Sequence, residues 1–218
     1  MTAARPASAL LTGRFVRLEP MTADLLPDLH RAIAVPDVFS GGYGGGPAGL
    51  RADPDAFSAW ALTYYRWDEL PFAVRLIRDG IPGPVVGTST LADLNLQQET
   101  VQLGWTAYSP AVWGTAVNLE TKLLLLGHAF GAGFGRVSIQ ADSRNERSRA
   151  AIEKIGGVFE GVLRREKLRA DGTWRDTAVY SILAAEWPGV RAGLQSRLSR
   201  FTGAVETHAA ESASPIQE

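Results

Sequence analysis

The 218-residue chain contains no cysteine. Disulfides, thiolate nucleophiles, cysteine-ligated zinc and iron–sulfur clusters are excluded together. Histidine is scarce: His30, His128 and His208 are far apart and no HExxH-type pair exists, so no His-based metal site is expected. Lysine is equally scarce, with Lys122, Lys154 and Lys167 set against 19 arginines. Arginine suits bidentate binding of phosphate and carboxylate, although a GC-rich coding bias accounts for the same excess. Neither sign of charge dominates, since 22 basic residues face 23 acidic ones. That balance argues against a nucleic-acid binder and a polybasic membrane-surface protein. The longest apolar run, around Leu123–Leu126, is far short of a membrane span, and residues 1–9 lack a secretory h-region. A cytoplasmic protein without nucleic-acid or membrane partners is expected.

Hydrophobic residues make up 45% of the chain and charged residues 21%, ordinary values for one globular domain. Leu11–Pro20 alternates as a half-buried strand, and Thr22 caps a helix to about Ala34. Residues 37–50, with GGYGGG at 41–46, read as loop. Asp53-Pro54 starts an aromatic helix through Trp60, Tyr64 and Trp67. Phe72–Arg78 and Val85–Leu94 form a hairpin around the turn DGIPGP. Thr100–Tyr108 is a third strand, whose central Gly104 marks a bulge or a close backbone approach. Next come a helix over Leu119–Phe130, a strand over Val137–Ala141 and a helix over Asn145–Ile155 closed by Gly156-Gly157. Glu160–Arg169 and Trp174–Leu183 form a final hairpin, Pro188–Phe201 adds a helix, and residues 202–218 read as a disordered tail.

The loop from Trp113 to Asn118 carries small residues at Gly114, Thr115 and Ala116, just before a helix. Free N–H groups and the helix dipole make such a start a natural anion site, although an ordinary strand-to-helix turn that binds nothing has the same sequence. Gly44–Gly49 formally matches G-x-G-x-x-G, but it neither follows a strand nor opens a helix, so a dinucleotide fold fails its context test. That loop reads as a lid or surface loop instead. Trp60, Tyr64 and Trp67 read as core packing by their helical spacing.

Four segments resemble the GNAT superfamily of acyl-CoA N-acyltransferases, and within it the branch of ribosomal-protein N-terminal acetyltransferases. They are LTGRFVRLEP from Leu11, PAVWGTAVNLETKLLLLGHAF over Pro110–Phe130, SRNERSRAAIEKIGGVFEGVLR over Ser143–Arg164, and DGTWRDTAVYSILAAEW over Asp171–Trp187. The resemblance implies one mixed α/β (α+β) domain over residues 11–187. Its mostly antiparallel central sheet would be splayed at a CoA site, with helices on both faces and a further helix over 188–201.

In the superfamily, the loop matching Trp113, Gly114, Thr115, Ala116, Val117 and Asn118 binds the CoA pyrophosphate through its backbone. Here Trp113 stands at a basic or amide position, and Asn118 at a small-residue position. The resemblance places Trp105, Thr106, Ala107 and Tyr108 beside the pantetheine arm, with a strand N–H near Trp105 or Thr106 polarising the acyl carbonyl. It places Asn145 on the pantetheine side and Ser148 at the thioester sulfur, as proton donor to the departing thiolate. For the general base, the aligned hairpin position holds Lys167; Glu166 next door, Asp142 and Glu99 are the candidates. Glu166 should face the wrong way unless a bulge intervenes. Tyr43 and Trp60 lie where relatives shape the acceptor site.

The implied activity is acyl transfer from acyl-CoA to an amine by direct attack in a ternary complex, a cysteinyl acyl-enzyme being excluded. Acetyl is the default acyl group. A longer or acidic group such as succinyl would be favoured by an arginine at the thioester, from Arg164, Arg165 or Arg175. The acceptor would be a protein N-terminus, a lysine or a small amine; no metal is expected, and self-association is left open. The alternatives are a non-catalytic CoA-binding regulator and an interaction module without ligand.

Overall fold

The first strand segment is broken where the sequence reads as continuous. In the computed structural model, which describes residues 2–208, it forms β1 (Leu11–Thr12) and β2 (Val16–Pro20), an antiparallel pair. The break is held by Glu120, whose carboxylate accepts N–H bonds from Arg14 at 2.8 Å, Phe15 at 2.6 Å and Val16 at 2.8 Å. Gly13 lies so close that an added Cβ would sit 2.3 Å from the Glu120 carboxyl carbon. Only glycine leaves room for the carboxylate there.

The predicted helix after Thr22 is a 3-10 turn, Ala23–Leu25, followed by α1 (Leu26–Ile33); Thr22 makes no side-chain cap bond. Residues 37–50, read as loop, contain α2 (Pro36–Ser40) and two 3-10 turns, Tyr43–Gly45 and Pro47–Gly49. In α3 (Pro54–Tyr64), the carboxylate of Asp53 caps the helix by accepting the Ala56 N–H at 2.8 Å, as its sequence implied. β3 (Leu70–Arg78) and β4 (Ile81–Asn95) turn at Asp79-Gly80, both at positive φ, so most of DGIPGP belongs to β4. β5 (Thr100–Tyr108) has the predicted bounds. α4 (Ala116–Gly131) starts three residues earlier than read from sequence, because the side chain of Thr115 caps it. β6 (Arg136–Asp142), α5 (Glu146–Lys154), β7 (Val158–Leu168), β8 (Trp174–Leu183) and α6 (Trp187–Leu198) complete the chain.

The eight strands form one open sheet in the order β1-β2-β3-β4-β5-β6-β8-β7, antiparallel except for β5 and β6. That parallel pair is joined by the crossover helix α4. Alternation along β3 sends Phe72, Val74 and Leu76 into a core shared with α4, α5 and α6, and Ala73 into a second core with α1–α3.

Residues outside 11–187 add to the first core. Ala3 is buried and Ala4 donates its N–H to the Ala132 carbonyl at 2.9 Å, while Leu194 and Leu198 of α6 are buried in that core. Of the residues read as a disordered tail, Val205 is buried and His208 donates its N–H to Ala111 at 2.9 Å. Positions 209–218 lie outside the described residues. No helix among the described residues is long and apolar enough to cross a membrane.

Glu120→Ala leaves three backbone N–H groups without their acceptor, and is expected to destabilise the fold by about 3 kcal/mol or more in chemical denaturation. Glu120→Gln keeps one acceptor oxygen and should lose less.

Candidate active site

β4 and β5 keep a regular antiparallel register up to Thr90↔Gly104 and resume it at Thr88↔Ala107. Between these pairs Trp105 and Thr106 oppose the single residue Ser89, which defines a β-bulge where Gly104 pointed to one. Trp105 takes up the extra residue with φ +49°, a left-handed conformation uncommon for so large a side chain. One inserted residue exchanges the faces of those beyond it. Trp105 and Ala107 pack with the α1–α3 core, whereas the Thr106 hydroxyl reaches the α4 side.

On its other edge β5 pairs with β6 only at Thr100, Val101 and Gln102. From Leu103 onward the two strands separate, leaving the backbone groups of 103–108 on that edge without a ladder. A cavity of about 280 Å³ occupies the gap. Its wall includes Trp105–Tyr108 and Gly114 from one side, Ile139 and Gln140 from β6, Ser148 and Ile152 from α5, and Val38 and Tyr43 from the α1–α3 side. An unpaired strand edge beside an apolar slot suits an extended arm that carries amides.

The polar groups of the wall are unusual. Lys122, from α4, is only 5% exposed, and its ammonium nitrogen donates to Thr106 Oγ1 at 2.7 Å and Ser89 Oγ at 3.1 Å. Desolvation lowers its pKa to about 7. Burial pushes the Tyr43 and Tyr108 hydroxyls well upward; Tyr43 is also raised by Tyr65, with which it shares a short hydrogen bond. Arg147 lies with its guanidinium 3.7 Å above the Trp113 ring, whose indole N–H is fixed on Tyr108 O at 3.0 Å. Among the described residues, no carboxylate belongs to the cavity wall.

The sequence-derived residues divide accordingly. Trp105, Thr106, Ala107, Tyr108, Trp113, Gly114, Asn118, Asn145 and Ser148 all line the cavity. Thr115, Ala116 and Val117 do not: Thr115 Oγ1 accepts the Val117 N–H at 3.3 Å, and Ala116 and Val117 are buried. At this helix start the N–H groups of Ala116 and Asn118 are still without intrahelical partners. Asn145 has both ends of its amide engaged: Oδ1 accepts the Ser148 N–H at 2.9 Å, and Nδ2 donates to Gly41 O. The glycine loop is therefore anchored over the site, and Ala170 also donates its N–H to Gly45 O at 3.1 Å.

The carboxylate candidates stand apart from the cavity. Asp142 is gripped by Arg169, whose Nε and Nη2 reach Oδ2 at 3.1 and 2.7 Å. A bulge does intervene in β7, with Arg165 at φ +54°, but Glu166 accepts from Thr177 Oγ1 at 2.7 Å and does not reach the cavity wall. Glu99 lies at the opposite end of β5, where its carbonyl accepts the Gly135 and Arg136 N–H groups. Lys167 donates to the wall residue Gln140 at 3.2 Å. Tyr43 lines the cavity, whereas Trp60 packs among Phe39, Phe57 and Tyr64, as core.

Sequence reasoning missed Lys122 and Arg147. Lys122 carried a faint signal, being a lone cation in the apolar stretch LETKLLLLGHAF. Arg147 carried none, because its approach to Trp113 is purely tertiary.

The family model described as "Acetyltransferase (GNAT) domain" matches residues 16–158. Among solved structures, a T. thermophilus protein described as an acetyltransferase is 35% identical, covering 87% of this chain and 96% of its own, with a TM-score of 0.75. A GCN5-related N-acetyltransferase from Brucella melitensis is 27% identical over 94% of this chain and 93% of its own, with a TM-score of 0.82. Mycobacterium smegmatis RimJ in complex with CoA-disulfide, at 21% identity, shares the fold over 89% of this chain and 97% of its own, with a TM-score of 0.71. No curated protein matches the chain. A splayed β5–β6 sheet carrying this match makes the chain a member of the GNAT acetyltransferase family. It is an acyl-CoA-dependent acetyltransferase.

Between about pH 7 and 10.4 the unfolded chain holds a proton on Lys122 that the folded one does not. Stability therefore falls as pH drops through that window. Lys122→Met should raise the melting temperature, with the largest gain at pH 7 and below and almost none above pH 10.

Proposed function

We propose that this acetyltransferase transfers its acyl group to an amine by direct attack, with both substrates bound in the β5–β6 gap. The single observation that carries the reading is the bulge at Trp105 and Thr106, which opens the sheet and leaves a strand edge free. The pantetheine arm would hydrogen-bond along 105–108; RimJ, which shares the fold, is a complex with CoA-disulfide. The pyrophosphate would rest on Gly114 and the N–H groups of Ala116 and Asn118, at the positive end of α4. Arg147, lying over Trp113, supplies the cation that the loop itself lacks. The carbonyl oxygen would be polarised by a backbone N–H at the bulge.

Ser148, on the cavity wall, is the group that meets the sulfur and hands a proton to the departing thiolate. Acetyl is the default acyl group. An acidic acyl group such as succinyl would need a cation at the thioester, and Arg164, Arg165 and Arg175 do not belong to the cavity wall. The acceptor is a protein N-terminus, a lysine or a small amine, and the working compartment is the cytoplasm.

A second reading, a CoA-binding regulator without catalysis, draws on the absence of any carboxylate from the cavity wall among the described residues. CoA binding by calorimetry together with no turnover across a broad amine panel would establish it.

Ser148→Ala should slow turnover about 10²–10⁴-fold with CoA affinity little changed. A variant as fast as wild type removes the assignment. Arg147→Ala should weaken CoA binding about 10-fold in calorimetry, the loss of one charge-assisted contact, and reduce its salt dependence. Unchanged affinity would move the pyrophosphate away from this loop.

A further inference from the structure

The ionisable side chains of the cavity wall are Tyr43, Tyr108, Lys122 and Arg147. Burial raises both tyrosine hydroxyls, so they stay protonated across neutral pH, and a guanidinium does not deprotonate in a protein. Among the described residues, Lys122 is the one wall residue that can gain and lose a proton near neutral pH.

Its surroundings are specific. β4 presents Ser89, whose neighbours Thr88 and Thr90 are also uncharged; β5 presents Thr106 and Tyr108, and β6 presents Gln140. From α5 the charged wall residue is Arg147, committed to the Trp113 face. On α4 itself, Glu120 is turned away onto the backbone of Arg14–Val16. Lys122 therefore has no counter-charge among the described residues, and desolvation alone moves its titration. A neutral amine has two N–H donors and one lone pair. Both donors match the two hydroxyls at Ser89 and Thr106, so the lone pair is left over.

We propose that Lys122 is the general base of the transfer, with Ser89 and Thr106 as the positioning residues that aim its lone pair into the cavity. The inference rests on the transferase reading of that cavity. In the step, the neutral acceptor nitrogen forms a bond to the thioester carbonyl carbon. The C–S bond breaks, and its electron pair leaves with the sulfur. The proton shed by the new ammonium nitrogen passes to Lys122 Nζ, while the thiolate takes the Ser148 hydroxyl proton, which Ser148 recovers from solvent. Lys122 returns its proton to solvent once products leave. The bulge is what makes this possible, since only the exchange of faces at Trp105 turns the Thr106 hydroxyl toward α4.

The chain's three lysines make a direct test practical. In the protein labelled with 13Cε-lysine, one resonance should titrate near pH 7 and vanish in Lys122→Met. With acetyl-CoA and an amine that the wild type accepts, thiol release at saturation should fall about 10-fold per pH unit below that midpoint. Lys122→Met should lose about 10²–10⁴-fold in kcat and the pH limb with it, with CoA affinity preserved. Lys122→Arg should be as slow, since a permanent cation cannot accept a proton, and Thr106→Val should shift the midpoint of the lysine resonance. A Lys122 resonance titrating above pH 9, an active Lys122→Arg enzyme, or an unaltered profile in Lys122→Met would each overturn the proposal. If the wild type releases no thiol with any amine while Lys122 still titrates near 7, the transferase reading itself fails.

Discussion

The site depends on one irregularity, the place in β5 where two residues face one. Without Trp105 and Thr106 opposing Ser89, the strand would keep its alternation and bury the Thr106 hydroxyl against the α1–α3 core. The same strand leaves its partner β6 just before this point, after Gln102, so that bulge and gap act together. Holding tryptophan in a left-handed conformation costs about 1–3 kcal/mol, a strain that survives only where surrounding packing enforces it. Here the Trp105 ring is held by the aromatic core under α1–α3.

Helix α4 carries two buried charges two residues apart, and they meet opposite fates. Glu120 is an acceptor answered by three backbone N–H groups, which ties the helix to the β1–β2 turn. Lys122 is a donor answered only by hydroxyls, with nothing negative facing it among the described residues. The carboxylate is met by N–H donors, whereas desolvation disfavours the ammonium. One residue fastens the crossover helix, and the other faces the cavity that the helix helps to enclose.

Much of this was legible in the sequence, for local reasons. β5 was bounded correctly because its alternation is clean, and Gly104 pointed to the bulge because a glycine in a strand has few other uses. The Asp53-Pro54 start of α3 was equally plain. What stayed hidden depended on contacts distant in the chain. Asp142 is a general-base candidate by sequence, but Arg169, 27 residues later, grips it. The glycine loop read as a lid or surface loop, yet Asn145 and Ala170 anchor it from two other parts of the chain. Lys122 showed only as a lone cation in an apolar helix, because periodicity shows that a helix is buried, not which of its polar residues faces a cavity.

The central claim is that the gap between β5 and β6 holds the coenzyme. A crystal structure of the protein with CoA tests it most directly. The account predicts pantetheine alongside residues 105–108, pyrophosphate at Gly114–Asn118 beneath Arg147, and the sulfur within reach of both Ser148 and Lys122. Coenzyme bound elsewhere, as in the groove between α4 and α6 lined by Leu124, Phe130 and Trp187, with the β5–β6 gap empty, would contradict it.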